Sequence, residues 1–223
     1  MIDKRKTDPE LGKQIHEVLV EAGIETPMAE YDYDDDLKKN IILEAVRNIM
    51  RALNLNLDDD SLSETPKRIA KMYVDELYGG LDYRNFPKIT TIENKMQYSS
   101  MLMERHIKVS STCEHHFVPI LGEAFVAYIP KEKVIGLSKI NRVVEFFSRR
   151  PQVQERLVEQ IFQTLCYILD TENVAVFIRA EHTCVKLRGV EDVNSDTITS
   201  KLGGVFMTSE SLRNEFFHAI EMK

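Results

Sequence analysis

The sequence predicts an α+β protein, with a helical N-terminal segment followed by a largely antiparallel sheet and packed helices. Three observations carry this prediction. Helical periodicity dominates the first third of the chain, short β-rich segments follow residue 87, and the later helical and β-rich stretches arrive in blocks. Because a parallel α/β sheet needs strict alternation of strands and helices, the block order favours the α+β class.

Three helices are predicted in the first third of the chain. Apolar residues recur at helical spacing from Pro9 to Gly23, where the glycine is a natural stop. A second helix is expected from about Asp35 to Leu53. Its apolar face would be formed by Ile42, Val46, Ile49 and Leu53. A third is predicted to open at Thr65-Pro66, since Thr can cap and Pro suits the first helical position, and to end at Gly79-Gly80. The acidic run at residues 31–36 is interpreted as a solvated connection and helix start, not a calcium site.

Strands and further helices make up the rest of the chain. The predicted strands cover residues 89–92, 101–109, 122–129, 174–178 and 197–199. The predicted helices cover residues 138–147, 152–169 and 209–220. We therefore divide the chain into an N-terminal helical region, residues 1–90, and a sheet-bearing region, residues 91–223.

Composition and charge exclude several classes of protein. Of the 223 residues 43% are hydrophobic and 29% are charged, which is typical of a soluble globular protein. The net charge of -7 argues against a general attraction to nucleic acid or to an anionic membrane. The start Met1–Lys6 leads into a polar stretch without a signal core, and no run approaches the ~18 apolar residues of a membrane span. We expect a cytoplasmic protein with no nucleic-acid or membrane partner, whose three cysteines are reduced thiols.

Two short segments concentrate groups that could bind a metal ion. The first holds Cys113 and His116, which are three residues apart as in Cys-x-x-His zinc sites. The second holds His182 and Cys184, directly after a β-prone run. If that strand continues without a bulge, both side chains share its core-facing side. Two thiolates and one imidazole leave a fourth position for water, which is the arrangement of catalytic zinc.

The chemistry of such a site favours hydrolysis. Bound zinc lowers the pKa of its water to about 7, which provides a nucleophile at neutral pH. His115 and His182 are the remaining candidates for general acid–base catalysis. Any one of these residues alone would be interpreted as a buried thiol or a core histidine, and Cys166 keeps that interpretation in its apolar helical stretch. Their clustering favours catalytic over structural zinc.

A phosphate site is predicted where Gly136–Lys139 leads from a strand-like segment into a helix, because backbone N–H groups at helix N-termini bind anions. Lys139 and Arg142 lie on this helix, and Lys186 and Arg188 follow the second metal-binding segment. Together they could neutralise a polyphosphate, although each alone is equally well explained as a solvated charge. The sequence lacks a Gly-x-x-x-x-Gly-Lys-Ser/Thr loop, which disfavours a P-loop nucleotidase.

Four segments, taken in order, resemble the signature segments of the GTP cyclohydrolase I family. They are residues 111–116, 136–142, 150–156 and 184–189. The resemblance extends over residues 64–70 and 202–204 and is weakest over roughly the first thirty residues. The family converts GTP and water to 7,8-dihydroneopterin triphosphate and formate, the first step of tetrahydrofolate and pterin biosynthesis. It implies a tunnelling fold for residues 91–223, in which antiparallel sheets of several subunits close into a barrel, and a toroidal homodecamer built as a dimer of pentamers.

The resemblance also implies roles for individual residues. The zinc ligands would be Cys113, His116 and Cys184. The catalytic residues would be His115, His182 and Ser138. The substrate-binding residues would be Glu155, Gln154, Lys139, Arg142, Arg188 and Arg68, the last reaching in from a neighbouring subunit. In this scheme His182 assists attack at C8 and protonates N7 of the purine, and His115 serves ribose ring opening. The Glu155 carboxylate, with Gln154 beside it, would recognise guanine through its ring N1–H and exocyclic amine. Ser138, Lys139 and Arg188 would contact the triphosphate and ribose.

The residues alone leave other interpretations open. A binding module with a structural zinc would lack an exchangeable water on the metal. An enzyme that uses Cys113 or Cys184 as a nucleophilic thiolate would survive removal of zinc. A zinc nucleobase deaminase is a nearer competitor, but its His-x-Glu and Pro-Cys-x-x-Cys pattern is absent from the sequence.

Overall fold

Helices and strands follow one another in blocks along residues 4–29, 31 and 33–222, which the computed structural model describes. The helices are α1 (Pro9–Glu21), α2 (Asp35–Ala52), α3 (Thr65–Lys71), α4 (Leu137–Ser148), α5 (Gln154–Leu169), α6 (Thr183–Lys186), α7 (Val205–Thr208) and α8 (Glu210–Glu221). The strands are β1 (Thr91–Glu93), β2 (Leu102–Cys113), β3 (Pro119–Tyr128), β4 (Lys133–Ile135), β5 (Pro151–Gln152), β6 (Val174–His182) and β7 (Thr197–Leu202). The α+β prediction with a helical N-terminal third is confirmed.

A five-stranded sheet forms the centre of the structure, in the order β5-β2-β3-β6-β7. All its long strands pair antiparallel, and only the two-residue β5 runs parallel to the end of β2. Strands β1 and β4 form a separate antiparallel pair. The order strand–strand–helix–helix–strand–strand from β2 to β7 agrees with the expected tunnelling fold. Among the described residues, no further strand pairs with the outer edge of β7 or with the part of the outer edge of β2 that β5 does not cover.

The sheet has two differently covered faces because side chains alternate along each strand. Helices α4 and α5 pack on one face, where Val126 and Ile178 meet residues such as Phe147 and Leu157 in the main core. The core also includes α1 through Ile15, one of the apolar residues that recur at helical spacing in this segment. The other face is covered at one end by the C-terminal helices α7 and α8. This smaller cluster contains Phe125, Phe177, Phe206 and Phe216.

Two of the N-terminal helices differ in detail from the prediction. Helix α2 buries Val46 and Met50, whereas Ile49 and Leu53 of the predicted apolar face are 59% and 65% exposed. Helix α3 is capped at Glu64 without a side-chain hydrogen bond, so Thr65 is not the cap. A π-helix, Met72–Leu77, continues α3 toward the predicted glycine stop.

Two predictions fall partly on residues outside the described ones. They are the polar start, which includes Met1–Asp3, and the acidic run, which includes Asp32. Within the described residues, no helix is both long and apolar enough to cross a membrane.

Candidate active site and metal centre

The first metal-binding segment is a tight connection between β2 and β3. Strand β2 continues past its predicted end, and Cys113 is its last residue. The Cys113 amide donates to the Val118 carbonyl at 2.8 Å, and the Phe117 amide donates to the Cys113 carbonyl at 2.8 Å. Phe117 has a φ of 56°, a left-handed conformation that closes the turn. Cys113 is therefore buried at the base of the turn, while His115 and His116 are exposed on it.

Cys184 lies on a helical turn and not on a continued strand. Strand β6 ends at His182 and α6 begins at Thr183, so the prediction that His182 and Cys184 share one strand face is wrong. The reason lies in the partner strand. His182 pairs with Ile120, and the next partner would be Pro119, which has no N–H to donate. The Thr183 hydroxyl instead donates to the Pro119 carbonyl at 2.6 Å, and the chain turns there.

The predicted ligands Cys113, His116 and Cys184 converge into one set of donors. Their ligand atoms all lie within 4.8 Å of one another, and the Cys113 Sγ lies 3.8 Å from the His116 Nδ1. Zinc binds sulfur at ~2.3 Å and nitrogen at ~2.0–2.1 Å in a tetrahedron, which separates the sulfur and nitrogen atoms by roughly 3.5 Å. The set therefore fits an ion of this size with three protein ligands. Burial and the neighbouring Cys113 thiol raise the pKa of Cys184, because two thiolates repel when no cation lies between them.

Arg188 contacts the far side of the His116 ring. Its Nη1 lies 2.7 Å from the His116 Nε2. A guanidinium can only donate, so Nε2 acts as the acceptor in this contact. A metal on the Nδ1 lone pair requires the proton on Nε2, which removes that acceptor. We therefore expect Arg188 to turn away from His116 when a metal binds, toward any anionic ligand nearby.

His182 is held by Gln154, the first residue of α5. The His182 Nε2 lies 2.8 Å from the Gln154 Oε1. The amide nitrogen of Gln154 donates to the Ile178 carbonyl at 3.2 Å, the Thr197 carbonyl at 3.0 Å and the Thr199 hydroxyl at 3.1 Å. Burial lowers the pKa of His182, and the carboxylate that follows Gln154 in the chain opposes this effect in part. The ring is thus neutral near pH 7 and fixed in orientation.

An ion pair that the sequence did not single out joins the metal-binding turn to α5. Arg156 donates to Glu114 through Nη1 at 2.5 Å and through Nη2 at 3.4 Å. The Glu114 amide also donates to the Gln152 carbonyl at 3.1 Å. His115 lies beside the pair, with its Nε2 3.9 Å from the Glu114 Oε1. Both charged residues lie in the segments that carry the family resemblance, and this was the signal that could have identified them.

The predicted phosphate-binding residues lie at the start of α4. This helix follows β4 directly, and its N-cap, Gly136, provides no side-chain hydrogen bond. Ser138 is exposed in the first turn, while Lys139 and Arg142 are half-buried. Among the described residues, no hydrogen bond or ion pair joins these three side chains to the metal-binding set. The helix N-terminus is therefore present as predicted.

The remaining predicted substrate contacts are solvent-facing. Glu155 is exposed in the first turn of α5, close enough to His182 to affect its pKa. Arg68 is exposed on α3. Lys186, named with the basic cluster, pairs with Glu181 at 2.9 Å.

Comparison with known proteins places this site in a family context. A sequence model described as GTP cyclohydrolase I matches residues 42–221. The chain is 56% identical over 206 residues to GTP cyclohydrolase 1 of Yersinia enterocolitica serotype O:8 / biotype 1B, which covers 92% of this chain and 94% of the relative. It is 57% identical over 208 residues to GTP cyclohydrolase 1 of Erwinia tasmaniensis, with 92% and 94% covered. GTP cyclohydrolase 1 of Escherichia coli K12 / DH10B is 56% identical over 217 residues, which cover 95% of this chain and 98% of that relative.

Among solved structures, the apo form of the archaeosine synthase QueF-Like aligns with this chain. The TM-score is 0.38 at 16% sequence identity, and the alignment covers 48% of this chain and 94% of that one. A similarity this low carries no functional conclusion.

Proposed function

The chain belongs to the GTP cyclohydrolase I family, and we propose that it converts GTP and water to 7,8-dihydroneopterin triphosphate and formate at a zinc centre held by Cys113, His116 and Cys184. The observation that carries the proposal is the convergence of these three ligand atoms within 4.8 Å, although Cys184 is remote from the other two in the chain. Three protein ligands leave room for a water, which separates a catalytic zinc site from a closed structural one.

Zinc bound at this set would supply a Lewis acid and lower the pKa of a bound water to about 7. The arrangement of the three ligands also suits other divalent ions. Zinc is favoured because two of the ligands are thiolates, which bind it well. The remaining chemistry falls to side chains of the chain itself.

His182 and His115 are proposed to move protons. His182 would assist the attack of water at C8 and protonate N7 of the purine as the imidazole ring opens and formate leaves. Its neutral state near pH 7 supports this role, because a general base has to begin with a free lone pair. His115 would serve ribose ring opening, the first part of the rearrangement that closes the pterin. Its exposed ring leaves it accessible to a substrate that covers the turn.

Substrate recognition is proposed to divide between two helix starts. The exposed Glu155 carboxylate at the start of α5 would accept hydrogen bonds from guanine N1–H and the exocyclic amine, a pattern that adenine does not offer. Ser138, Lys139 and Arg142 at the start of α4 would bind the triphosphate, where backbone N–H groups add to the positive potential. Arg188 would join them once it leaves His116. Binding energy from the triphosphate would hold purine and ribose in place through the sequence of steps.

We further propose that the protein assembles as a toroidal homodecamer, a dimer of pentamers, with Arg68 supplied across a subunit boundary. Two features support assembly with other copies. The outer edges of β2 and β7 offer backbone groups for strand pairing. Helix α2 exposes apolar side chains that include Leu37, Ile41 and Ile49. In this proposal residues 1–90 serve assembly, residues 91–223 form the catalytic tunnelling-fold domain, and the complex works in the cytoplasm. Native mass spectrometry checks the subunit number.

A direct assay tests the proposed function. Purified protein is incubated with GTP, before and after removal of metal by a chelator, and formate is measured together with the ultraviolet absorbance of a pterin. Appearance of both products and their loss on chelation would support the proposal. If a folded, metal-loaded protein leaves GTP unchanged, the proposed substrate is wrong. Activity that survives complete metal removal would favour a thiolate nucleophile instead.

A further inference from the structure

We propose that Gln154 is a positioning residue for His182 and not a ligand of the guanine ring. Its side-chain amide holds the imidazole with Nε2 as the hydrogen-bond donor, so that Nδ1 is the ring nitrogen available for proton transfer. This inference rests on the proposed function, because it requires His182 to act during turnover.

The orientation of the Gln154 amide follows from its surroundings. Three oxygen atoms lie within 3.2 Å of its nitrogen, on Ile178, Thr197 and Thr199. Two of them are backbone carbonyls, which can only accept. A rotated amide would place Oε1 against these carbonyl oxygens. The nitrogen must therefore face them, and Oε1 must face His182.

The tautomer of His182 follows from this orientation. An amide oxygen can only accept, so the His182 Nε2, 2.8 Å away, must carry the proton. In the neutral ring the lone pair then resides on Nδ1. Glutamine achieves this without adding a negative charge beside a site that has to bind an anionic triphosphate.

Gln154 is also poorly placed to bind a substrate itself. The residue is only 1% exposed, and both ends of its amide are occupied by groups of the same chain. Turning it toward a purine would leave buried carbonyls of β6 and β7 without a donor, which is costly. Its neighbour Glu155 is exposed to solvent. The two residues thus divide the work, with Glu155 for the purine and Gln154 for the histidine.

A matched pair of variants tests the proposal. Gln154→Met keeps the length of the side chain and removes both hydrogen-bonding ends. Gln160→Met makes the same change at a fully buried glutamine of the same helix, whose amide bonds to Ile24, Thr26 and Gln152 and not to His182. We expect Gln154→Met to lower kcat about 10- to 100-fold with the KM for GTP changed less than about 3-fold. Gln160→Met should change kcat less than about 3-fold. Thr199→Val, which removes one acceptor of the Gln154 amide, should lower kcat by a few fold only, and it serves if Gln154→Met does not fold.

A double-mutant cycle gives a readout that a purely structural role would not change. In a His182→Ala background, Gln154→Met should lower the residual kcat less than about 3-fold, because the group through which it acts is gone. The affinity for GTP, measured by calorimetry on these slow variants, should stay within about 3-fold. A weakening of GTP binding by about 10-fold or more, equal losses in both backgrounds, or an equal loss in Gln160→Met would each overturn the positioning role. The proposed function is tested separately, by turnover of GTP in the wild type and its loss in His182→Ala. The results for the Gln154 variants therefore bear only on the role of Gln154.

Discussion

Two polar clusters in this protein differ in how far the chain itself satisfies them. The Arg150 side chain is fully buried and donates to Glu25 at 3.2 Å, to Thr26 at 3.3 Å and to the Gly80 carbonyl. It also lies over the rings of Tyr83, Phe146 and Phe147, 4.9 to 5.2 Å from their centroids. In the metal-binding set, by contrast, three electron-pair donors face one another, and no cationic side chain of the described residues lies between them.

The difference separates a structural role from a functional one. The Arg150 cluster brings its own positive charge, so burial strengthens each of its interactions and fixes the segment after α1 to the sheet-bearing region. The metal-binding set becomes favourable only when an external cation joins it. Loss of the Arg150 cluster should therefore reduce stability and leave metal binding intact. Loss of the metal-binding set should abolish metal binding and leave the stability of the metal-free protein unchanged.

The largest effect is expected from Cys184→Ala. Removal of one of the three proposed metal ligands should lower the metal content per subunit to near zero and reduce turnover of GTP by roughly 10⁴-fold or more, because a bound metal would no longer be present to activate the nucleophilic water. Metal analysis and the formate assay measure both. The melting temperature of the metal-free protein should stay within ~2 °C of that of metal-free wild type, since Cys184 is only partly buried. Full metal content in this variant would contradict the ligand assignment.

The next largest effect is expected from His182→Ala. It should leave the metal bound and lower kcat about 10²- to 10⁴-fold, the usual contribution of a general acid–base group. His106→Ala is a matched control on the same sheet, since His106 is exposed, pairs with Glu123 at 2.7 Å and lies outside the site. It should change kcat no more than about twofold. Retention of full activity in His182→Ala would show that another group transfers the proton.

Arg150→Met tests the other side of the comparison. Breaking a buried ion pair typically costs about 3–5 kcal/mol, because the remaining charge, here on the mostly buried Glu25, is left without its guanidinium partner. For a chain of this size the melting temperature should fall by roughly 10 °C. The zinc content and the KM for GTP should be unchanged when measured well below that temperature. A variant that melts normally but loses metal would remove the distinction between the two clusters.

Distant contacts could be predicted from sequence only where the residue types themselves indicate a shared chemistry. Cys113 and His116 were identified from their local spacing, and the remote Cys184 was added because it belongs to a second short segment of thiol and imidazole groups. The Arg150 cluster was not identified, because the hydrogen-bond partners of the Arg150 side chain are separated from it by 67 to 125 residues. Similarly, the end of β6 depends on Pro119 of a partner strand, and no pattern within the strand itself contains that information.

Residues that are adjacent in sequence can face different surroundings in the structure, although the sequence analysis predicted the same role for them. Gln154 and Glu155 were both assigned to the substrate, but adjacent residues on a helix point about 100° apart. One therefore faces the sheet and the other faces solvent. On α2 the predicted helical period was correct, but the prediction placed Ile49 on the buried face, where the structure has Met50. Periodicity shows that a helix has an apolar face, but packing against neighbouring elements decides which of its residues are buried.

The smallest effect is expected from Lys95→Ala, which isolates burial as the cause of the Arg150 effect. Lys95 and Glu93 form an ion pair at 3.4 Å, close to the 3.2 Å between Arg150 and Glu25, but their side chains are 84% and 78% exposed. Water screens such a pair and competes for both ends, so its loss should shift the melting temperature by less than about 1 °C. Thermal unfolding at low and high salt provides the measurement, with Arg150→Met run in parallel. A shift comparable to that of Arg150→Met would mean that charge pairing itself, and not the enclosure of Arg150 by aromatic rings and carbonyl oxygens, stabilises the buried cluster.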